Sequence, residues 1–390
     1  MDDFERAARR RLPRPLYGYV SGAAEDNASA EDNRHVFSEF GFTTRSMRDV
    51  SARSQSVQLF GRRYSSPFGI APMGLCALST YQGDLVIASA AKEAGIPSVL
   101  SGASLTPLET VADAAPGTWF QMYIPARPDD ADRLVGRVAA AGYDTLVVTV
   151  DVQVPANREN NVRAGFATPL RVGPRLLCDF AARPRWFCGT LLRTLTSSGL
   201  PRFVNGLASG GVPLLDSTAS NYWTGRDHLD HRQVERVRRL WDGRLIVKGL
   251  LSVQDVLQAR EIGADAVILS NHGGRQLDGA VSAMRVLPSA VEAVGADFPI
   301  LIDGGFRRGS DVLKALALGA RMALIGRPFN YAAAAAGKRG VTHAISLLKA
   351  EIDRNLAMLG ATDCRDLNGS ILVDKRSILQ NQFAVRGDQQ

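Results

Sequence analysis

Eight short apolar runs recur along the chain, and polar or glycine-rich residues follow each of them. Single helical segments, such as LVIASAAKEAG and VLKALALGA, separate most of these runs. A short continuous apolar run is typical of a parallel strand that is covered on both faces. Strands that alternate with helices form right-handed βαβ units. The predicted strands cover residues 68–74, 97–102, 118–124, 145–151, 244–249, 266–271, 299–305 and 322–328.

This pattern predicts an α/β fold. Eight parallel units close most simply into a (β/α)8 TIM barrel, and a doubly wound open sheet is the alternative. We expect a single barrel over residues 1–390, with three additions to it. The additions are an N-terminal helical arm over residues 1–50, a long insertion over residues 160–230 between the fourth and fifth strands, and a C-terminal tail over residues 364–390.

Length and composition narrow the class of protein. At 390 residues and 45% apolar, the chain can bury a large core. No apolar run has the length of a transmembrane helix, and the start MDDFERAARRR lacks the apolar core of a signal peptide, which favours a cytoplasmic protein. The four cysteines have no metal-ligand spacing, so we expect reduced thiols and no metal site. A net charge of +7 suits an anionic substrate or an acidic surface without deciding between them.

Polar residues stand at the ends of the predicted strands. A barrel collects these ends on one face, its C-terminal mouth, where barrel enzymes have their active sites. Polar caps at strand ends are common, but a lysine that ends an apolar run, as Lys248 does, is costly without an anionic partner. Together these residues therefore indicate an enzyme. They are Ser101, Gln121, Tyr123, Thr149, Asp151, Lys248, Ser270, His272, Asp303, Arg307, Gly326 and Arg327.

The loop SNHGGRQLDG, which follows the sixth predicted strand, contains the candidate base. His272 lies just past the end of this strand, and Gly273 and Gly274 allow a tight turn and a close approach to a ligand. Arg275 and Asp278 add one charge of each sign. A histidine in a loop is often only a solvated side chain. Its position beside two glycines and two charges favours a catalytic base.

The loops after the seventh and eighth strands predict a phosphate site. The segment DGGFRRGSD places glycines and two arginines before a helix, and the segment GRP ends the eighth strand. In barrels these two loops often hold a phosphate through backbone N–H groups and a helix N-terminus. An ordinary turn is the alternative, and arginines in both loops favour the phosphate.

The insertion contains a basic stretch. Residues 171–202 include six arginines and a single acidic residue, Asp179, interleaved with large apolar side chains. This pattern suits a segment at an anionic membrane surface, with Trp186, Phe187 and nearby leucines in contact with lipid. A loop that packs its apolar residues on the barrel is an equal alternative, and nucleic acid is not expected because no recognition motif accompanies the charge. Three prolines in the stretch argue against one continuous helix.

These segments resemble the FMN-dependent L-2-hydroxy acid dehydrogenases and oxidases, a family that includes glycolate oxidase and membrane L-lactate dehydrogenase. The resemblance covers almost the whole chain, and the segments SNHGGRQLDG, DGGFRRGSDVLKALALGA and WFQMY are highly specific for the family. The segments LWDGRLIVKGLLS and GFRRGSD are most similar to the (S)-mandelate dehydrogenase branch. The resemblance implies that the cofactor is FMN.

The resemblance also implies a role for each matching residue. His272 would be the base, Asp151 the carboxylate that stabilises its protonated form, and Tyr123 and Arg275 the other catalytic residues. The residues that bind the substrate would be Tyr19, Tyr123, Arg158 and Arg275. The residues that bind the cofactor would be Ala71, Pro72, Met73, Ser101, Gln121, Thr149, Lys248, Ser270, Asp303, Gly304, Gly305, Arg307, Gly326 and Arg327.

The implied reaction is oxidation of an L-2-hydroxy acid to the 2-oxo acid, with electrons passed to a membrane quinone. The family further implies a homotetramer, peripherally bound to the inner face of the cell membrane. Gly74 and Ala103 are both small, and the position that matches Ala103 in glycolate oxidase is a tryptophan, so we expect an aromatic, mandelate-like substrate. The alternatives are a soluble oxidase that uses oxygen and makes hydrogen peroxide, a flavin-free lyase or isomerase of a phosphorylated substrate, and a non-catalytic membrane scaffold.

Overall fold

A computed structural model describes residues 1–167, 169, 173–206, 211–218 and 224–375 of the chain. Its centre consists of eight parallel strands whose side chains are almost all buried, because helices cover the outside and side chains fill the inside. The strands are β1 (Phe68–Ile70), β2 (Val99–Ser101), β3 (Trp119–Tyr123), β4 (Thr145–Thr149), β5 (Arg244–Leu250), β6 (Ala266–Leu269), β7 (Ile300–Asp303) and β8 (Met322–Ile325).

The eight strands close into a barrel. Each strand from β2 to β7 pairs in parallel with the next one along the chain, and β8 pairs with β1. A parallel bridge between Ile70 and Ser98 joins β1 to the segment that leads into β2 and completes the ring. The predicted (β/α)8 barrel is therefore confirmed, and the open sheet is excluded.

The helices lie outside the barrel, as the alternating pattern predicts. The longest of them, Arg327–Leu359, consists of two helices that meet at a kink, where Ala336 and Gly337 leave the helical conformation. The other helices of the barrel wall are Cys76–Ser79, Gly83–Ala94, Leu108–Ala114, Pro128–Ala140, His231–Leu240, Val253–Glu261, Ala283–Val294 and Gly309–Ala317.

The N-terminal arm contains three helices, α1 (Asp2–Arg11), α2 (Arg14–Ser21) and α3 (Ala28–Glu39). Helix α1 has acidic residues in its first turn and arginines in its last turn, which complement the helix dipole, and it ends before Pro13. Ala8 on its apolar face and Leu12 just past its end are fully buried, in one apolar cluster with Tyr331 and Trp186. The arm thus packs over the barrel rather than extending from it.

The insertion is mostly helical in the parts that the structure describes. Its helices are Glu159–Ala164, Pro174–Ala181, Pro184–Trp186, a π-helical turn Phe187–Leu192, and Arg193–Ser198. A ribbon pairs Arg202–Phe203 with Val212–Pro213. Within the predicted insertion, residues 168, 170–172, 207–210 and 219–223 lie outside the described residues. Among the described residues, no helix combines the length and the apolar composition needed to cross a bilayer.

Trp186 corrects the interpretation of the insertion. This residue is only 1% exposed, and the centroid of its ring lies 4.9 Å from that of Phe180. Its Nε1–H donates to the carbonyl of Leu78 at 2.7 Å. A buried indole needs an acceptor for its N–H group, and here the barrel supplies one. Trp186 therefore anchors the insertion to the protein and does not contact lipid. Phe187, Leu192 and Leu195 remain exposed.

Two short ribbons complete the fold. Phe40–Phe42 pairs with Leu372–Asp374, and Val57–Leu59 pairs with Arg62–Tyr64 below the barrel, beside Trp119. Cys364 and Leu367 are buried, so residues 364–374 pack on the folded body, which the predicted tail boundary at residue 364 did not anticipate. Residues 376–390 of the predicted tail lie outside the described residues.

Candidate active site

A cavity of about 530 Å³ opens at the C-terminal ends of the strands. Three predicted residues, Ser101, Asp151 and Ser270, stand behind its wall and hydrogen-bond to residues that line it. The other predicted site residues all line the cavity. They are Tyr19, Ala71, Pro72, Met73, Gln121, Tyr123, Thr149, Arg158, Lys248, His272, Arg275, Asp303, Gly304, Gly305, Arg307, Gly326 and Arg327.

His272 and Asp151 form a part-buried pair at the cavity wall, with side chains 18% and 12% exposed. The Nδ1 atom of His272 lies 2.9 Å from Oδ1 of Asp151. Burial lowers the pKa of His272, and Asp151 only partly offsets this, so the imidazole is neutral near pH 7. Burial raises the pKa of Asp151, but His272 and Lys248 outweigh it and hold this pKa below its usual value. An ionised Asp151 accepts the Nδ1–H group, which leaves a lone pair on Nε2 for a substrate proton.

The backbone at His272 adopts an uncommon conformation. His272, Gly273 and Gly274 have φ values of +57°, +65° and +74°. The left-handed region costs a non-glycine residue about 1–2 kcal/mol, so surrounding contacts must hold His272 there. Its N–H donates to Oγ of Ser270 at 2.9 Å. A Cβ atom on Gly274 would lie 2.5 Å from the backbone nitrogen of Ala30, so the arm packs directly against this loop.

Lys248 has the anionic partner that its position requires. Its Nζ lies 2.9 Å from Oδ2 of Asp303, with the two side chains 4% and 9% exposed, and it also donates to Oγ of Ser270 at 2.9 Å. Burial lowers the pKa of Lys248, but Asp303 and Asp151 outweigh it and hold this pKa above its usual value. The cavity therefore contains a fixed ammonium group.

Two arginines place further positive charge at the cavity. Arg275 donates from Nη1 to the carbonyls of Tyr19 and Gly22, at 2.9 and 2.6 Å. Arg158 donates to the carbonyl of Arg275 at 3.1 Å and to the side chain of Gln276. Burial, followed by the proximity of Arg158, lowers the pKa of Arg275 to about 9. Two close, partly desolvated cations favour the binding of an anion such as a carboxylate.

Two tyrosines complete the substrate side of the cavity. The ring of Tyr19 packs on Phe166 with a centroid distance of 4.6 Å, and the guanidinium of Arg275 lies 5.1 Å from the same ring. Burial raises the pKa of Tyr123, so its phenol stays protonated. The guanidinium of Arg226 lies 5.3 Å from the ring of Tyr123, on the side away from the cavity.

The opposite side of the cavity fits a polar ring system that carries a phosphate. Gln121 receives hydrogen bonds on Oε1 from Ser101 and Gly102, and its buried Nε2 has no partner within the described residues. The buried Oδ1 of Asp303 also has none in that part of the chain. A buried donor or acceptor without a hydrogen-bond partner destabilises the fold. A ligand that accepts from Gln121 and donates to Asp303 would supply the two missing hydrogen bonds.

The phosphate end contains two cations and glycine turns. Burial and the nearby Arg34 lower the pKa of Arg307 to about 10, and burial lowers the pKa of Arg327. Gly304 and Gly305 have φ values of +103° and +82°, which favour glycine. The N–H groups of residues 307 and 308 donate to Asp311, so these two amides just before the helix Gly309–Ala317 are already engaged. Arg327 also donates from Nε and Nη2 to the carbonyls of Val20, Gly22 and Gly273, so what this end of the cavity offers a phosphate is mainly the positive charge of the two arginines.

Several cavity residues were not predicted from the sequence. Phe166 and Phe203 come from the insertion, where no motif marks them, and Asn330 follows the eighth strand on the last long helix. Gln276 was detectable, because it directly follows Arg275 in the catalytic loop. Within the described residues, no cluster of three or more histidine, cysteine or acidic side chains could hold a metal ion.

Comparisons with known proteins agree with this geometry. A family model described as "FMN-dependent dehydrogenase" matches residues 8–374. (S)-Mandelate dehydrogenase of Pseudomonas putida is 40% identical over 373 residues, which cover 95% of this chain and 93% of that protein. L-Lactate dehydrogenase of Caulobacter vibrioides is 36% identical over 386 residues, covering 96% and 97%.

Solved structures give the same picture. The monotopic membrane protein (S)-mandelate dehydrogenase superposes with a TM-score of 0.89 at 39% identity, covering 96% of this chain and 98% of that one. A mandelate oxidase bound to 3,3-difluoro-2-hydroxy-3-phenylpropionic acid superposes with a TM-score of 0.78 at 32% identity, covering 94% and 97%. The similarity thus extends over the barrel, the arm and most of the insertion.

Proposed function

The chain belongs to the family of FMN-dependent dehydrogenases that act on 2-hydroxy acids, and on that premise we propose that it oxidises an aromatic L-2-hydroxy acid to the 2-oxo acid. The observation that carries this proposal is the part-buried His272–Asp151 pair, at 2.9 Å, whose histidine lines the same cavity as the cationic Arg275. FMN dependence leaves no place for the flavin-free lyase or isomerase considered from the sequence.

The residues divide into a substrate half and a cofactor half. Bound FMN supplies the acceptor for the two electrons that the hydroxy acid loses. Gln121, Lys248 and Asp303 would present a donor, a cation and an acceptor to the flavin ring and its ribityl chain, and Arg307 and Arg327 would hold the phosphate. The buried ammonium of Lys248 stabilises negative charge that collects beside it.

On the substrate side, each group has a separate task. Arg158 and Arg275 bind the carboxylate and orient the C2 carbon. Oxidation of the hydroxy acid releases protons, and Nε2 of His272 accepts one of them. The carboxylate of Asp151, 2.9 Å from Nδ1, stabilises the imidazolium that results. The protonated phenol of Tyr123 and the phenol of Tyr19 contact the substrate hydroxyl group.

The size of the substrate pocket supports an aromatic substrate. A Cβ atom on Gly74 would lie 3.0 Å from Cβ of Ala103 and 3.2 Å from the hydroxyl of Tyr19, so the two small residues face each other beside the tyrosine. Leu75 and Phe166 add apolar surface to the same cavity. Because Gly74 and Ala103 both line the cavity and neither carries a long side chain, we propose that a phenyl ring, as in mandelate, lies beside them, where a larger residue at position 103 would displace it.

Replacing Ala103 by tryptophan should narrow this pocket. We expect Ala103→Trp to lower kcat/KM for mandelate about 10–100-fold, since a contact of methylene size is already worth about 1–3 kcal/mol. The value for glycolate, which has no side group to displace, should change by less than about threefold. Steady-state kinetics with both acids measure the effect, and the Ala103→Ser variant is the matched small replacement. An equal loss for both substrates would remove the size argument.

We further propose that the insertion places the enzyme on a membrane surface and that a membrane quinone accepts the electrons, with oxygen as the alternative acceptor. Leu177, Phe187, Leu192 and Leu195 are exposed on the helices of the insertion. Not all of its arginines are available to lipid, since Arg183 donates to the carbonyl of Leu12. A solved relative is described as a monotopic membrane protein. That four copies of the chain form a homotetramer also remains a prediction from the family resemblance.

Vesicle co-sedimentation tests the membrane proposal. The protein should bind vesicles of phosphatidylcholine and phosphatidylglycerol, and binding should weaken but persist at high salt, because arginine attraction is screened while apolar contact is not. The triple variant Phe187→Ser, Leu192→Ser, Leu195→Ser should lose most of the vesicle binding that persists at high salt. Each of the three side chains should contribute about 1 kcal/mol or more to the free energy of that binding.

The matched control changes exposed leucines elsewhere on the barrel. Leu240→Ser with Leu257→Ser and Leu347→Ser removes similar apolar surface from outer helices and should leave vesicle binding unchanged. Both variants should retain anaerobic flavin reduction, since no changed residue lines the cavity. If the intact protein stays in the supernatant at low salt, the insertion is an ordinary loop and the soluble oxidase becomes the better proposal.

A further inference from the structure

Two buried asparagines join the arm to the catalytic loop. Nδ2 of Asn33 on α3 donates to Oδ1 of Asn271 at 2.8 Å, and Nδ2 of Asn271 donates back to Oδ1 of Asn33 at 3.1 Å. The side chains are buried, with 1% and 4% of the residues exposed. A reciprocal amide pair of this kind fixes both side chains in one orientation, because each supplies the donor that the other needs.

Asn271 extends the pair into the loop that contains His272. Its Oδ1 also accepts the N–H of Gly274 at 3.0 Å, and its Nδ2 also donates to the carbonyl of Val281 at 3.1 Å. The side chain of Asn271 thus spans His272 from the residue before it to the second residue after it. It braces the left-handed backbone at φ +57° from which the imidazole projects.

The same turn of α3 touches the cofactor side of the cavity. A Cβ atom on Gly305 would lie 1.8 Å from the backbone oxygen of Asn33, and one on Gly304 would lie 3.3 Å from its Oδ1. Asn33 therefore lies between the loop of the base and the glycine turn that faces the cofactor. One residue of the arm contacts both halves of the active site.

From this geometry we propose that Asn33 is a positioning residue, which acts through Asn271 to set the placement of His272 relative to the cofactor. The inference rests on the proposed role of His272 as the base. A small displacement of a catalytic group costs rate without costing much affinity. Loss of the Asn33 amide should therefore slow the chemical step and leave the binding of substrate and FMN nearly intact.

Helix α3 has other attachments that keep it in place when Asn33 changes. Arg285 forms ion pairs with Asp32 and Glu39, and Asp278 accepts the N–H of Ser29 at 2.8 Å. Lys314 donates to the carbonyl of Phe37 at 2.7 Å. Variants at Asn33 are thus expected to fold and to retain the arm, so a change in rate reports on the loop.

The test compares Asn33→Ala and Asn33→Asp by anaerobic stopped-flow measurement of flavin reduction. In Asn33→Ala we expect the limiting rate to fall about 10–100-fold, with the substrate Kd changed by less than about threefold. In Asn33→Asp the protonated carboxyl can donate its O–H to Oδ1 of Asn271. The ionised carboxylate has no proton to donate, so one of its oxygens faces Oδ1 of Asn271 and the two repel. This variant should approach the wild-type rate at low pH and lose rate as pH rises, relative to the wild type.

Hydrogen exchange supplies a readout that does not depend on activity. Amides of residues 270–276 should exchange faster in Asn33→Ala, and in Asn33→Asp only at high pH after correction for intrinsic exchange. The control is Lys314→Met, which removes the hydrogen bond to the carbonyl of Phe37 and so loosens α3 one turn beyond Asn33, away from the catalytic loop. It should leave both the limiting rate and the exchange of residues 270–276 unchanged.

The outcomes separate this inference from the proposed function. If His272→Asn reduces flavin at the wild-type rate, the proposed base is wrong whatever Asn33 does. If His272→Asn is slow but Asn33→Asp shows no pH-dependent loss, only the positioning role is overturned. A parallel loss of FMN content and rate in Asn33→Ala would also overturn it, because Asn33 would then hold the cofactor and not the base.

Discussion

The His272→Asn variant is expected to reduce its flavin about 10²–10⁴-fold more slowly than the wild type, which is the usual contribution of a general base. Asparagine keeps a donor for Asp151 but has no lone pair in the position of Nε2. FMN should stay bound, since the side-chain hydrogen bond of His272 found within the described residues goes to Asp151 and not to Arg307 or Arg327. Anaerobic stopped-flow reduction with mandelate measures the rate, and the flavin absorbance of the purified protein measures cofactor content.

His343→Asn is the matched control, because His343 packs against Phe4 on the outer surface, far along the chain from the catalytic loop. It should reduce flavin at the normal rate. In the wild type, kcat/KM should fall as pH decreases and His272 becomes protonated. Because burial lowers the pKa of His272, this fall should occur below its ordinary value of about 6.5. Near-normal reduction in His272→Asn would remove the base from the proposal.

The barrel was predictable because its strands are covered on both faces. Such strands appear as continuous apolar runs, and the predicted run at residues 266–271 corresponds to the buried strand Ala266–Leu269. Eight units favour closure over an open sheet, and the pairing of β8 with β1 shows it; closure brings strand ends from distant parts of the chain to one mouth. This is why Gln121, Lys248 and Asp303 could be assigned to one cavity before their distances were known.

Contacts between distant segments were not predictable in the same way. Trp186 appears as a lipid-facing aromatic in the sequence, and only the structure shows that the carbonyl of Leu78 accepts its N–H group. Asn33 lies in a polar helix with no motif around it, and its role depends on Asn271, which is 238 residues away. Local patterns record which residues are buried, but they do not identify the partner of a buried polar group.

Arg275→Met is the second variant with a large expected effect. Arg275 is part-buried at the cavity, and desolvation and then Arg158 lower its pKa to about 9, so the cation is poorly compensated until an anion arrives. Removing one partner of a buried ion pair costs about 3–5 kcal/mol, which corresponds to a loss of roughly 10²–10⁴-fold in kcat/KM. Arg275→Lys should recover only part of this, because an ammonium cannot bind a carboxylate with two parallel hydrogen bonds.

The neutral amide of the same hydroxy acid separates carboxylate binding from general damage. The wild type should prefer the acid over the amide, and Arg275→Met should lose most of that preference, since the amide has no charge for Arg275 to bind. Arg53→Met, which breaks an ion pair with Asp353 on the far surface of the barrel, should keep the preference. If Arg275→Met retains the acid-over-amide ratio of the wild type, Arg275 does not bind the carboxylate, and Arg158 alone would have to supply that charge.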